Sequence, residues 1–131
     1  MILIVDDHII NIKIVEIIIK QNNKENTIVP FYNGQTCLDF VKENYANIKL
    51  IFMDIQMPGL TGIETTKEIR KYEDENNLFN IPIIAMTAGQ NFKEACIGAE
   101  MNLYIEKPIR KHEIYEILRY YKLINQQGEK L

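Results

Sequence analysis

The chain has 131 residues, 47% of them apolar and 25% charged, with a formal net charge of −3. That is the length of one domain and the balance of a folded globule rather than a disordered tail. No run of about eighteen apolar residues is present to span a bilayer, and the mild acidity argues against direct contact with nucleic acid, which needs a basic stripe.

Met1 to Val5 runs straight into Asp6-Asp7 without a basic leader. This reads as a cytoplasmic chain with no signal peptide, and its two cysteines, Cys37 and Cys96, as reduced thiols rather than a disulfide framework. Ile2 to Val5 is a short apolar run closed by acids, the pattern of a strand buried on both faces. Ile10, Ile14, Ile17 and Ile18 then recur at helical spacing and predict the buried stripe of a first helix, closed by Asn22-Asn23. Thr27 to Phe31 reads as a second strand, placed at a sheet edge by Pro30, which has no N–H to donate. Asn33-Gly34 turns into a second helix marked by Leu38, Val41 and Tyr45. Leu50 to Met53 is a third buried strand ending in Asp54. Thr61 and Glu64 form a capping box at the start of a third helix that ends near Asn76-Asn77. Pro82 to Met86 is a fourth strand ending at Thr87, and Asn91 with Glu94 is read as the cap of a short fourth helix carrying Cys96 and Ile97. Leu103 to Ile105 is a fifth strand ending at Lys107-Pro108. Ile114, Ile117, Leu118 and Tyr121 stripe the last helix. The reading is one domain over 1–124 and a loose polar tail over 125–131.

Strands alternating with helices predict an α/β domain with a parallel sheet, of flavodoxin-like order 2-1-3-4-5. Ligands of such sheets bind beyond the carboxyl ends of the strands. There the sequence puts Asp6-Asp7, Asp54, Thr87 and Lys107. Unit charges ~4 Å apart at an effective dielectric of about 20 repel by about 4 kcal/mol. A hard divalent cation such as Mg²⁺ relieves that repulsion and takes carboxylate and phosphate oxygens together. An ammonium and a hydroxyl beside it suit a phosphoryl group, with one carboxylate as in-line nucleophile. Asp54, alone at the central strand, is the best candidate.

Val5-Asp6-Asp7, Met53-Asp54-Ile55-Gln56-Met57-Pro58-Gly59-Leu60-Thr61-Gly62, Met86-Thr87-Ala88 and Tyr104-Ile105-Glu106-Lys107-Pro108 stand in an order that resembles the receiver domains of two-component response regulators. The likeness covers Ile2 to about Tyr121. The wording of Asp6-Asp7-His8 with Asn11, and of Asp54-Ile55-Gln56-Met57-Pro58, is most similar to receivers of hybrid sensor histidine kinases. The resemblance implies that Asp54 is the phosphoacceptor. Mg²⁺ would be held by Asp6, Asp7, Asp54 and the Gln56 backbone carbonyl. Thr87, Lys107 and the Ala88 amide would bind phosphoryl oxygens, Tyr104 would be the aromatic switch, and the Lys107-Pro108 peptide would be cis. The implied partners are a histidine kinase or a histidine phosphotransfer protein, with a homodimer through the fourth helix, fifth strand and last helix as a further arrangement.

Taken singly these residues have blander readings: Asp6 or Asp7 as a helix cap, Asp54 as a loop-opening acid, Lys107 as a solvated lysine, Tyr104 as a half-buried strand aromatic. Four strand ends delivering four matching chemistries outweigh them. His8, His112 and the cysteines fit no zinc-ligand spacing. A Mg²⁺-dependent phosphohydrolase would want an acid two residues after its aspartyl nucleophile, where Gln56 stands; a binding-only receiver would not keep the whole acidic set. Glu100 stands where the family places glycine. If residue 100 is left-handed, the strain is about 1–2 kcal/mol, predicting a frayed or displaced end to the fourth helix.

Overall fold

The computed structural model describes residues 1–22 and 25–124; Asn23 and the expected 125–131 tail lie outside the described residues. Strands β1 (Ile2–Val5), β2 (Ile28–Phe31), β3 (Leu50–Asp54), β4 (Ile83–Thr87) and β5 (Leu103–Glu106) alternate with helices α1 (Ile9–Asn22), α2 (Gly34–Asn44), α3 (Gly62–Glu75), α4 (Lys93–Gly98) and α5 (Lys111–Tyr120). Every strand pair is parallel and the sheet order is β2-β1-β3-β4-β5. The Pro30 strand is at an edge.

The apolar strands are apolar on both sides because both sheet faces are covered. Ile2, Ile4, Leu50, Phe52, Ile84, Met86 and Ile105 pack with residues of α1 and α5. The alternate residues Leu3, Val5, Ile51, Met53 and Ile83 pack with α2 and α3, while Ala85 meets Cys96 of α4. The capping box forms: Thr61 Oγ1 accepts the Glu64 N–H, and Glu64 Oε1 accepts the Thr61 N–H. The hydrogen bond from the Thr61 amide holds the Glu64 carboxyl pKa below its ordinary value.

Three expectations need correction. In α1 the buried residues are Ile12, Val15 and Ile19, while Ile10, Ile14 and Ile17 are 69%, 40% and 57% exposed. At about 100° per residue these two stripes lie on opposite sides of the helix. So many isoleucines offer two apolar phases of equal spacing, and the sheet accepts only one. The second correction concerns α4, which has no Asn91–Glu94 cap. Asn91 sits inside a 3-10 turn, Gln90–Phe92, and the helix starts from Phe92 without a side-chain cap; side-chain capping needs an extended residue there.

Third, Glu100 is left-handed, φ 63°, but the end of α4 is closed rather than frayed. The Met101 N–H donates to Cys96 O at 3.0 Å and the Glu100 N–H to Ile97 O at 2.9 Å, the paired bonds of a Schellman motif. Met101 packs on Cys96, and the Glu100 carbonyl accepts Arg70 Nε at 3.0 Å. These contacts hold the strained residue in place. Glu100→Gly is expected to raise stability by about 1 kcal/mol, measured by urea unfolding; an unchanged or lower midpoint would show that residue 100 carries no strain.

Candidate functional site

β1 and β3 are neighbours with Val5 opposite Met53, so the acids that follow at the carboxyl edge come side by side. Asp6 is fully buried and Asp54 nearly so. Asp6, Asp54 and Lys107 continue the alternation of Ile2 and Ile4, Leu50 and Phe52, and Ile105, the set that packs with α1 and α5. That shared parity brings the three side chains together. Lys107 Nζ donates to Asp54 Oδ1 at 3.1 Å and faces Asp6 Oδ2 at 3.0 Å. Backbone amides complete the frame: the His8 N–H donates to Asp6 Oδ1 at 2.8 Å and the Gln56 N–H to Asp54 Oδ1 at 3.4 Å. Gly62 is obligatory beneath: a Cβ there would lie 2.1 Å from the Asp54 carbonyl oxygen.

Thr87 has the opposite parity, that of Ile83 and Ala85. Its hydroxyl donates to Gly89 O at 2.7 Å and accepts the Gly89 N–H at 3.1 Å, so it is engaged by the loop into α4 rather than by the carboxylates. Ala88 lies between the two. Asp7 sits at the rim, its Oδ1 3.2 Å from His8 Nδ1; sequence reasoning gave His8 no place here, although its adjacency to Asp7 was the available signal. Tyr104 on β5 is 39% exposed, with Lys93 Nζ 6.0 Å from its ring centre. The Lys107-Pro108 peptide is cis.

Burial, and next the charge of Asp6, push the Asp54 pKa up to about 6, against the opposing pull of Lys107. Burial works against the Lys107 ammonium too, but its hydrogen bond to Asp6 and the charges of both acids outweigh it and raise its pKa. One ammonium faces two buried carboxylates with Asp7 beside them. Asp6 Oδ2 has the Lys107 ammonium 3.0 Å away and Asp7 Oδ1 the His8 ring 3.2 Å away, with no further hydrogen-bond partner for either buried oxygen among the described residues. Oxygen donors of this kind, left short of positive charge, fit a hard divalent cation.

Fold and site together define a flavodoxin-like domain with an acidic centre at the switch point of its sheet. The chain belongs to the response regulator receiver domain family, whose profile matches residues 2–119. It is 36% identical over 110 residues, 82% of its length, to hybrid signal transduction histidine kinase M of Dictyostelium discoideum, and spans 4% of that protein. It is 35% identical over 123 residues, 89% of its length, to the osmosensing histidine protein kinase SLN1 of Saccharomyces cerevisiae, and spans 10% of it. Among solved structures, it matches the receiver domain of Ssk1 from S. cerevisiae, co-crystallised with the histidine phosphotransfer protein Ypd1, with a TM-score of 0.80 and 30% identity, covering 93% of this chain and 88% of that one. It also matches the Mg²⁺ complex of the receiver domain of the histidine kinase CKI1 from Arabidopsis thaliana, with a TM-score of 0.76 and 27% identity over 91% of this chain and 89% of that one. Among the described residues no helix is long and apolar enough to cross a membrane.

Proposed function

We propose that residues 1–124 act as the phosphoacceptor receiver of a phosphorelay, of the kind carried within hybrid sensor histidine kinases, and that Asp54 accepts the phosphoryl group. The observation that carries this is the Asp6–Lys107–Asp54 cluster, in which one ammonium faces two buried carboxylates. The donor is phosphohistidine on a kinase or a histidine phosphotransfer protein. An Asp54 carboxylate oxygen attacks phosphorus in line; the P–N bond breaks, its electron pair leaves with the imidazole, and an acyl phosphate remains. Asp6, Asp7, Asp54 and the Gln56 carbonyl would hold Mg²⁺, which when bound supplies charge neutralisation between carboxylates and phosphoryl oxygens.

The protein's own groups do the rest. Lys107, already on Asp54, takes a share of the phosphoryl charge, and the Ala88 amide can donate to one of its oxygens. A phosphoryl group adds about −1.5 to −2 charge near neutral pH. That charge competes with Gly89 for the Thr87 hydroxyl. Turning Thr87 inward releases the loop into α4 and makes room for Tyr104 to leave its exposed position, which alters the α4–β5–α5 face and any homodimer formed through it. Two states a few kcal/mol apart suffice. The same water-accessible acyl phosphate is lost by self-dephosphorylation. Gln56, two residues after the nucleophile, has no carboxyl proton to give a leaving group, so turnover of phosphoesters is not expected. Ile9 and Ile10, both exposed, give the site an apolar border of the sort a protein donor covers.

Incubation with a small phosphodonor is expected to label the chain once, with Mg²⁺ and not with EDTA. Multiple turnover of a phosphoester without retained label would replace the receiver reading with a phosphohydrolase.

A further inference from the structure

On the reading of Asp54 as phosphoacceptor, with Thr87 drawn to its phosphoryl group, we propose that α4 is a lever with a fixed carboxyl end. Arg70 of α3 is the positioning residue that pins the turn after α4, and phosphorylation swings the amino end alone.

The carboxyl end is clamped. Arg70 Nε donates to Glu100 O at 3.0 Å and Nη2 to Asn102 Oδ1 at 2.9 Å. Asn102 is in turn stitched to β4: its Oδ1 accepts the Ile83 N–H at 2.8 Å, and its own N–H donates to Ile83 O at 2.9 Å. Arg70 is buried and anchored by Glu73 and the Ile81 carbonyl. Cys96 and Ala99 are buried on the same side of the helix's midpoint. Charge-assisted bonds in a buried clamp resist sliding, because each one broken leaves a polar group unpaired.

The amino end has no such hold. Lys93, Glu94 and Ala95 are exposed, and Phe92 starts the helix without a side-chain cap. Phe92 packs on the small cluster of Ile55, Ala85 and Cys96. The loop before it is tied by the Thr87 hydroxyl, which donates to Gly89 O and accepts the Gly89 N–H. Those are the bonds that a phosphoryl group on Asp54 takes from Gly89 when Thr87 turns. One event therefore frees the amino end and leaves the clamp untouched, the condition for a hinge rather than a shear. Lys93, 6.0 Å from the Tyr104 ring centre, moves with the free end.

The α4–β5–α5 face is thereby divided. Phe92, Lys93 and Tyr104 change with phosphorylation, whereas the exposed Ile97 lies close to the pivot and changes little. A partner that tells the two states apart must touch the first group.

The test is residual dipolar couplings of the backbone amides in the whole chain, with and without Mg²⁺ and beryllofluoride, a mimic of the acyl phosphate. Wild type is compared with Arg70→Lys, which keeps a cation beside Glu73 but lacks the fork that reaches Glu100 and Asn102. In the wild type, couplings over 92–96 are expected to change together while those over 99–102 stay. In Arg70→Lys the change is expected to spread into 99–102. Wild-type changes over 99–102 as well, or none over 92–96 while amides around Asp54 and Thr87 respond, overturn the lever. A change confined to 92–96 in Arg70→Lys overturns the role of Arg70. Should the variant not fold, the wild-type comparison decides by itself. No response anywhere overturns the reading of Asp54 together with the lever.

Discussion

Glu73→Ala is expected to cost about 3–5 kcal/mol, the range for breaking a buried ion pair by removing one partner. Arg70 and Glu73 are one turn apart on α3, 3% and 0% exposed, with Arg70 Nη1 2.8 Å from Glu73 Oε1. The guanidinium also donates to Ile81 O at 2.9 Å, Asn102 Oδ1 at 2.9 Å and Glu100 O at 3.0 Å. Glu73 Oε2 accepts the Ile81 N–H at 2.6 Å and the Tyr45 hydroxyl. Burial, and then the bond to Glu73, raise the Tyr45 pKa. This network ties the start of β4, the turn from α4 into β5 and the end of α2 to one helix. Loss of the carboxylate leaves the Arg70 charge buried and the Ile81 N–H unsatisfied. The apolar double substitution Arg70→Met with Glu73→Leu is expected to cost less than Glu73→Ala alone, because no uncompensated charge remains. Urea unfolding of the three proteins checks both statements, and a double variant less stable than the single one would refute the second.

Asp54→Asn is expected to stabilise the chain at pH 7.5 by about 1–3 kcal/mol. With a folded pKa of about 6 against an ordinary 3.8, Asp54 holds its proton in the folded chain at pH values where the unfolded chain has released it. Between about pH 4 and 6 the folded state therefore binds more protons. Stability contributed by this group falls as pH rises through that window, and above it the full cost of the buried anion is present. Asparagine carries no such charge, so the gain is expected to vanish below about pH 4. Lys107 keeps Asp6 as a partner in the variant. Saturating Mg²⁺ is expected to narrow the gap by stabilising the wild type more. A pH-independent difference would mean that Asp54 is not held at a raised pKa.

Strand order and the acidic carboxyl edge could be read from the sequence because each depends on a local signal: apolar runs closed by Asp6, Asp54, Thr87 and Lys107, and Pro30 confining its strand to an edge. The capping box at Thr61 and Glu64 was legible for the same reason. The buried phase of α1 was not, since Ile10-Ile14-Ile17 and Ile12-Val15-Ile19 satisfy the helical period equally and only packing on the sheet separates them. Nor was the closed end of α4, which depends on Arg70 reaching Glu100 from thirty positions away. The turning of Thr87 toward Gly89 follows from strand parity, which residue type does not reveal. His8 matches no ligand spacing in the chain; its closeness to Asp7 is a matter of ring orientation.

The central claim is that the acid paired with Lys107 at the end of β3 takes the phosphoryl group. After Mg²⁺-dependent labelling by a small phosphodonor, borohydride reduction converts a phosphoaspartate to homoserine, which mass spectrometry locates. Homoserine is expected at position 54, with none in Asp54→Asn. Homoserine at position 6 or 7, or label retained by Asp54→Asn, would contradict the account.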